Sequence, residues 1–284
     1  MGHAIILGCG YTGQLVAASL LDRGFEVVAT TRNPDSLGAL RRRGATILGL
    51  DALDKLSLQR LRNAPRGALV LHSIPSLKSP KGLIDPTPAL LRALIPAHPA
   101  RLVYLSSTGV YGDALDVDEN TSMAPRTERE RLRVHAEQAI QRFNCSSLVL
   151  RPAAIYGPNR GVHASMLAGK FQLLDAGDNF VSRIHVEDLA DHVVAAMLSD
   201  IGGAYPVADA EPCRSREIAA FCADLLNLPL PRSVPRDALS ETRRADRRVN
   251  GAAVRALLGL ALRYPTYREG IPACLRVDQH PRLY

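Results

Sequence analysis

The sequence predicts an α/β fold: a doubly wound parallel sheet with helices on both faces and a smaller C-terminal lobe. Three observations predict it. Apolar runs of strand length recur through the first half, as AIILG, FEVVATT, ATILGLD, ALVLHSI, RLVYLSS and SSLVLRP. Helical segments stand between most of them, and strands alternating with helices imply a parallel sheet covered on both faces. After about residue 158 the rhythm changes to irregular, Pro- and Arg-rich chain. The chain has 284 residues, 46% hydrophobic and 22% charged, enough for a full-sized core in one large domain or two intimate ones.

Taken in order, AIILG is a short strand ending in glycine. YTGQLVAASLLDRG follows with helical periodicity and a stop at Gly24. FEVVATT is the second strand. In NPDSLGALRRRG, Asn33 is placed as N-cap, Pro34 in the first turn and Gly44 past the end. The stretch RTERERLRVHAEQ, 126 to 138, is rich in good helix formers. Leu132, Ala136, Ala139 and Ile140 form its apolar face. Arg129 falls inside that arc and Arg133 at its edge. Like charges four apart on a helix repel, so an inward-facing pair calls for an anion between them. In the second half, helices at 187 to 198 and 215 to 227 flank GGAYPVAD. A Pro- and Arg-rich passage follows, and a last helix is expected over roughly 251 to 260.

The composition narrows the function classes. The net charge is +7, but the basic residues are spread among many acids. The densest clusters, 41 to 44 and 242 to 248, carry no interleaved aromatics, so nucleic acid is not an expected partner. No apolar run reaches membrane-spanning length, and the N-terminus does not resemble a signal peptide. The five cysteines are odd in number and scattered without a CxxC. They predict reduced thiols in a cytoplasmic setting, with no metal site.

GCGYTG, residues 8 to 13, sits between an apolar strand and a periodic helix, which is the context a dinucleotide fingerprint requires. Gly8 permits a tight turn, Gly10 lets backbone approach a pyrophosphate, and Gly13 lets the helix pack against the strand. The helix N-terminus, at Tyr11 and Thr12, offers N–H groups and a partial positive charge to phosphates. Cys9 is a small filler in this loop. At the end of the second strand an NAD site wants an acid for the ribose 2′-hydroxyl. This chain has Thr30, Thr31, Arg32 and Asn33 there. An acid would repel a 2′-phosphate and an arginine attracts it, so the expected cofactor is NADP, with Arg32 on the phosphate and Thr31 assisting. Asp51, after the third strand, is placed either to meet the adenine edge or to cap the next helix. Residues 1–158 are thus expected to form an NADP-binding Rossmann domain, its sheet completed within 180–208, and 159–284 a smaller mixed substrate-binding lobe.

The later motifs resemble those of the short-chain dehydrogenase/reductases, in their extended and atypical NAD(P)-dependent epimerase/dehydratase branch. LVYLSSTGVYGD is similar to that family's fifth strand and hydroxyl-bearing turn, and LRPAAIYGP to its sixth strand and loop. RIHVEDLADHVVAAM is similar to its histidine–aspartate element, and RRVNGAAVRALLGLALRYPTYREGI to its C-terminal segment. The resemblance covers almost the whole chain. It implies that Ser107 orients substrate. It also implies an acid/base pair, Tyr-x-x-x-Lys, on the next helix. A gapless alignment puts Arg129 at the tyrosine position and Arg133 at the lysine position, and the sequence contains no YxxxK. Arg133 keeps a fork of donors for ribose hydroxyls. Arg129 is a poor acid/base, because guanidinium stays protonated. Tyr111 is the nearest candidate proton carrier in sequence, with packing as its other role. Tyr156 is similar, and His185 is the other titratable candidate, with fixing the lobe as its structural role. Thr108 and Gly109 replace the Asp-Glu of the dehydratases, which argues against sugar dehydration. Asp85 lies near where the family places an asparagine, with helix capping as its other role.

Two functions follow. One is an NADP-dependent oxidoreductase or epimerase acting on a small polar substrate, with Arg129, Arg183, Arg243 and Arg244 as anion contacts. The other is a non-catalytic NADP(H)-binding redox sensor. Either is expected as a monomer, or as a homodimer through the helices at 84 to 97 and 126 to 142.

Overall fold

The computed structural model describes residues 2–80, 82–239 and 244–279. Its first half alternates β1 (His3–Leu7), α1 (Tyr11–Asp22), β2 (Glu26–Thr31), α2 (Gly38–Arg42), β3 (Thr46–Gly49), α3 (Lys55–Gln59), β4 (Leu69–His72), α4 (Thr87–Leu94), β5 (Arg101–Leu105), α5 (Glu128–Arg142) and β6 (Ser146–Pro152). Then come β7 (Ala154–Tyr156), α6 (Val162–Leu167), β8 (Arg183–His185), α7 (Val186–Leu198), β9 (Gly203–Val207), α8 (Ser215–Leu226), α9 (Ala252–Leu257) and α10 (Tyr267–Gln279). The central sheet has seven strands in the order β9-β6-β5-β4-β1-β2-β3. Pairing from β3 through to β6 is parallel throughout. The doubly wound Rossmann-type sheet expected from the strand–helix rhythm is therefore present.

Two compact units divide the chain. The first runs to Val110 and resumes over Pro125–Arg151 and Ala190–Ala204. The second comprises Tyr111–Ala124, Pro152–Leu189 and the chain from Tyr205 onward. In the first unit, Ala4 to Leu7 of β1 and all five residues of β5 are buried. Strands covered on both faces must be apolar nearly throughout, which is why these runs read so clearly. Ile5, Leu7, Val70, Leu102 and Tyr104 of the strands pack with Leu90 and Leu94 of α4 and Ala136 and Ile140 of α5.

Local signals set the boundaries. Asn33 Oδ1 accepts from Asp35 N–H and starts a 3-10 turn, Pro34–Leu37, that runs on into α2. Gly24 and Gly44 end their helices at φ +79° and +98°. Thr127 and Glu130 form a reciprocal capping box on α5.

The C-terminal end differs from expectation. The expected last helix at 251 to 260 is the shorter α9, and a further helix, α10, follows it. Gly270 and Pro272 interrupt the helical pattern of α10, yet Tyr267, Ile271 and Cys274 are all buried along one side of it. An apolar stripe at i, i+4 and i+7, packed into the second unit's core, outweighs the two breakers. No helix among the described residues is long and apolar enough to cross a membrane.

Candidate cofactor and active site

The strand order reverses direction between β1 and β4, and ligands of open α/β sheets bind beyond the carboxyl ends of strands at such a point. The loop after β1 and the loop after β4 interlock there. Ser73 Oγ donates to Gly8 O at 2.8 Å and to Leu7 O at 3.2 Å. Gly8 N–H donates to Thr30 Oγ1 at 3.0 Å, and Cys9 N–H to Thr30 O at 2.7 Å.

The three glycines separate by cause. Gly8 has φ +82°, and a Cβ there would lie 2.7 Å from Ile74 Cγ1. A Cβ on Gly13 would lie 3.2 Å from both Gly8 O and Ile6 Cγ2, so the helix packs tightly on the strand there. A Cβ on Gly10 would meet only Gly8 O, at 3.9 Å. Nothing in the chain demands a glycine at position 10. The open space above it is the cradle a pyrophosphate needs. It sits at the N-cap of α1, which has no side-chain cap and no acid in its first turn. The residues present fit a dinucleotide. Cys9 is buried, which pushes its thiol up to about 12 and leaves it an inert filler.

Arg32 is exposed at the end of β2. Thr31 braces the turn beneath it, its Oγ1 accepting from Asn33 N–H at 3.2 Å. Asp51 accepts from Leu53 N–H at 3.0 Å, while the cap of α3 is Asp54. Asp85 accepts from Thr87 N–H at 3.0 Å, at the start of α4.

The candidate active site stands where α5 crosses the end of β5. Arg133 is half-buried and donates from Nη1 to Tyr104 Oη at 2.8 Å and to Leu105 O at 3.2 Å. Arg129, one turn earlier, is exposed. Of the two arginines, only Arg133 is drawn inward, because it alone has acceptors waiting at the end of β5. Ser107 is half-buried in the turn after β5, and its Oγ accepts from Gly109 N–H at 3.1 Å. Tyr111, the first residue of the second unit, is wholly buried.

Behind these residues lies a polar network that sequence reasoning missed. Glu137 is 1% exposed and takes three hydrogen bonds from Arg151, the shortest at 2.7 Å. Ser106 Oγ donates to the same carboxylate. His72 Nδ1 accepts from Ile74 N–H, leaving Nε2 for Thr87 Oγ1 at 2.9 Å. Burial, and then the charge of Arg133, push His72 down to about 3, so it is neutral. Its ring lies 4.9 Å from that of Tyr104, whose hydroxyl burial pushes up against the opposing pull of Arg133. One signal was available: Glu137 is four residues after Arg133, on the same side of α5.

The other expected site residues belong to the second unit. His185 is buried and held down to about 4 by desolvation, with Nδ1 accepting from Glu187 N–H and Nε2 3.4 Å from Cys274 Sγ. The rings of Tyr156 and Tyr264 pack on it. Arg183 is buried on Cys213 Sγ at 3.0 Å, and Arg244 donates to Leu239 O at 2.7 Å. Both are engaged by their own unit. Arg243 lies outside the described residues. All five cysteines are free.

This fold, with its glycine cradle and hydroxyl turn, defines a class, and the chain falls within it. Residues 4–208 match the model of the NAD dependent epimerase/dehydratase family, and the protein belongs to that family. A Streptomyces protein named 3-diazoavenalumate denitrifying reductase is 27% identical over 259 residues, covering 80% of this chain and 82% of that one. The solved structure of a functionally unknown conserved protein from Silicibacter pomeroyi DSS is 32% identical, with a TM-score of 0.80 over 97% of this chain and 99% of that one. The UDP-glucose 4-epimerase of Thermus thermophilus, solved in complex with NAD, shares the fold with a TM-score of 0.82 at 19% identity, covering 99% of each chain.

Proposed function

We propose that the protein is an NADP(H)-dependent reductase of a small polar substrate that carries an anionic group. The observation that carries this reading is Arg133 on α5, fixed at the end of β5 next to the Ser107 turn, with Arg129 exposed one turn earlier. Gly8, Gly10, Tyr11, Thr12 and Gly13 would hold the pyrophosphate, Thr31 and Arg32 the 2′-phosphate, Asp51 the adenine edge and Arg133 the ribose. The bound nicotinamide supplies hydride. Ser107 and Arg129 hold the acceptor: Ser107 through its hydroxyl, Arg129 through a charge suited to a carboxylate or a developing oxyanion.

Proton supply separates this site from a Tyr-x-x-x-Lys site. Guanidinium does not release a proton at neutral pH. The Tyr104 hydroxyl is buried on Arg133, and His72 is neutral with Nε2 on Thr87, so neither presents a proton to Ser107. Such a site suits an acceptor that expels a leaving group as hydride arrives, since that exchange balances without an acid. The name of the Streptomyces relative, a denitrifying reductase, supports this choice of reaction. A second reading, an NADP(H)-binding redox sensor, draws on the same missing pair.

The test is NADPH oxidation, followed optically. Generic aldehydes and ketones should react slowly, because general acid assistance is worth about 10²–10⁴-fold. Arg129→Tyr with Arg133→Lys should raise that rate, and Ser107→Ala added to it should lower it again. A small arenediazonium carboxylate, in which hydride forms the new C–H bond as the C–N bond breaks and dinitrogen leaves, should be turned over by the unmodified protein. Brisk carbonyl turnover that ignores Ser107→Ala would sink the reading, and tight NADPH binding with no turnover of any acceptor would favour the sensor.

A further inference from the structure

The carboxyl ends of β2 and β3 run in register, with Thr31 opposite Gly49 and Leu50 N–H donating to Thr31 O at 2.8 Å. Arg60 lies where α3 passes into a 3-10 turn, Arg60–Asn63. Its side chain reaches back to the sheet, and Nη1 donates to Gly49 O at 2.9 Å. A Cβ on Gly49 would lie 3.3 Å from Pro34 Cγ and 3.4 Å from Arg60 Nη1. Any larger residue at 49 would displace one or the other. The Arg60 guanidinium and Pro34, two residues after Arg32, therefore both border Gly49, the arginine coming from the β3 side.

Both arginines are exposed. Among the described residues Arg32 makes no hydrogen bond or ion pair, and the Gly49 carbonyl is the one hydrogen-bond partner of Arg60. A guanidinium has five N–H donors, so a single carbonyl acceptor leaves a free edge of the fork. That carbonyl also holds the group in place, which lowers the entropy lost on binding an anion. Of the acids near this turn, Asp51 has an oxygen on Leu53 N–H, while Asp35 is the second residue of the 3-10 turn after Arg32.

We propose that Arg60 is a second specificity-determining residue, which with Arg32 forms a two-arginine cradle for the 2′-phosphate of a phosphorylated dinucleotide. This rests on the NADP(H) reading above. Two arginines on one phosphate give paired, charge-assisted contacts that a ribose hydroxyl cannot replace.

The test is titration calorimetry with NADP⁺, NAD⁺ and adenosine 2′,5′-bisphosphate. The unmodified protein should prefer NADP⁺. Arg60→Ala should weaken NADP⁺ and the bisphosphate about tenfold, the scale of one charge-assisted contact, and leave NAD⁺ within about twofold. Arg60→Lys should fall between. Unchanged NADP⁺ affinity in Arg60→Ala, with Arg32→Ala still losing preference, would overturn the role of Arg60 and leave the NADP(H) reading standing. An equal loss for NADP⁺ and NAD⁺ would show that Arg60 only braces β3, and would also overturn it. Equal affinity of the unmodified protein for the two dinucleotides would overturn both ideas together.

Discussion

At the scale of single residues, the glycine motif holds two different constraints that a sequence pattern cannot separate. Gly8 is demanded by the protein itself, through a left-handed backbone and the closeness of Ile74. Gly10 has open space around it, and no contact within the chain demands a glycine there. The two should therefore respond differently to an added side chain. Gly8→Ala should lower stability by roughly 1–3 kcal/mol, the cost of a strained backbone position, with a matching drop in the denaturant midpoint. Gly10→Val should leave that midpoint within about 0.5 kcal/mol and still weaken dinucleotide binding at least about tenfold. A Gly10→Val protein that binds as before would show that nothing approaches there. Tyr104 makes the opposite point, because a buried tyrosine in a strand gives no sign in the sequence that its hydroxyl holds Arg133.

At the scale of elements, α5 shows how a helix with little apolar surface is fixed. Its buried residues are Ala136, Glu137 and Ile140. A carboxylate stands in the middle of that face, paired with Arg151 of β6 and with Ser106 at the end of β5. The network ties the helix to both strands, and so keeps Arg133 and Ser107 in place. Removing one partner of a buried pair leaves the other charge uncompensated. Glu137→Ala should thus cost about 3–5 kcal/mol in urea unfolding, far more than Thr127→Ala at the cap, about 1 kcal/mol. Similar costs for the two would mean that Arg151 finds water. The strands around this network were legible because each is buried on both faces, which writes a continuous apolar run. So was α1, bounded by the glycine motif and Gly24. The helix α10 was not, because Gly270 and Pro272 signal a break and only burial in the second unit's core overrules them. Register was equally silent: the meeting of Arg60 with Gly49 depends on how α3 returns to the sheet.

At the scale of the whole molecule, buried titratable groups pull stability in opposite directions with pH. Burial holds His72 near 3 and His185 near 4, against about 6.5 in an unfolded chain, and lowers His163 as well. A histidine kept neutral by the fold contributes fully above about pH 6.5. That contribution is lost as the pH falls toward 4, where the unfolded chain takes up protons and the fold does not. Asp209 works the other way. It is 3% exposed, with Oδ1 unpartnered, and burial raises it to about 8 from the ordinary 3.8, although Arg183 opposes the shift. Its contribution is full below about pH 4 and declines as the pH rises toward 8, because the unfolded chain ionises freely while the fold must ionise a buried acid. Asp209→Asn keeps an acceptor for the Glu211 amide and removes the ionisation. The melting point of the variant relative to the parent should rise by at least about 3 °C between pH 5 and pH 8, since each kcal/mol moves the midpoint of a chain this size by about 2–4 °C. Differential scanning calorimetry at the two pH values checks it, and a difference between variant and parent that does not change with pH would mean that Asp209 is already ionised in the fold, with Arg183 outweighing its burial.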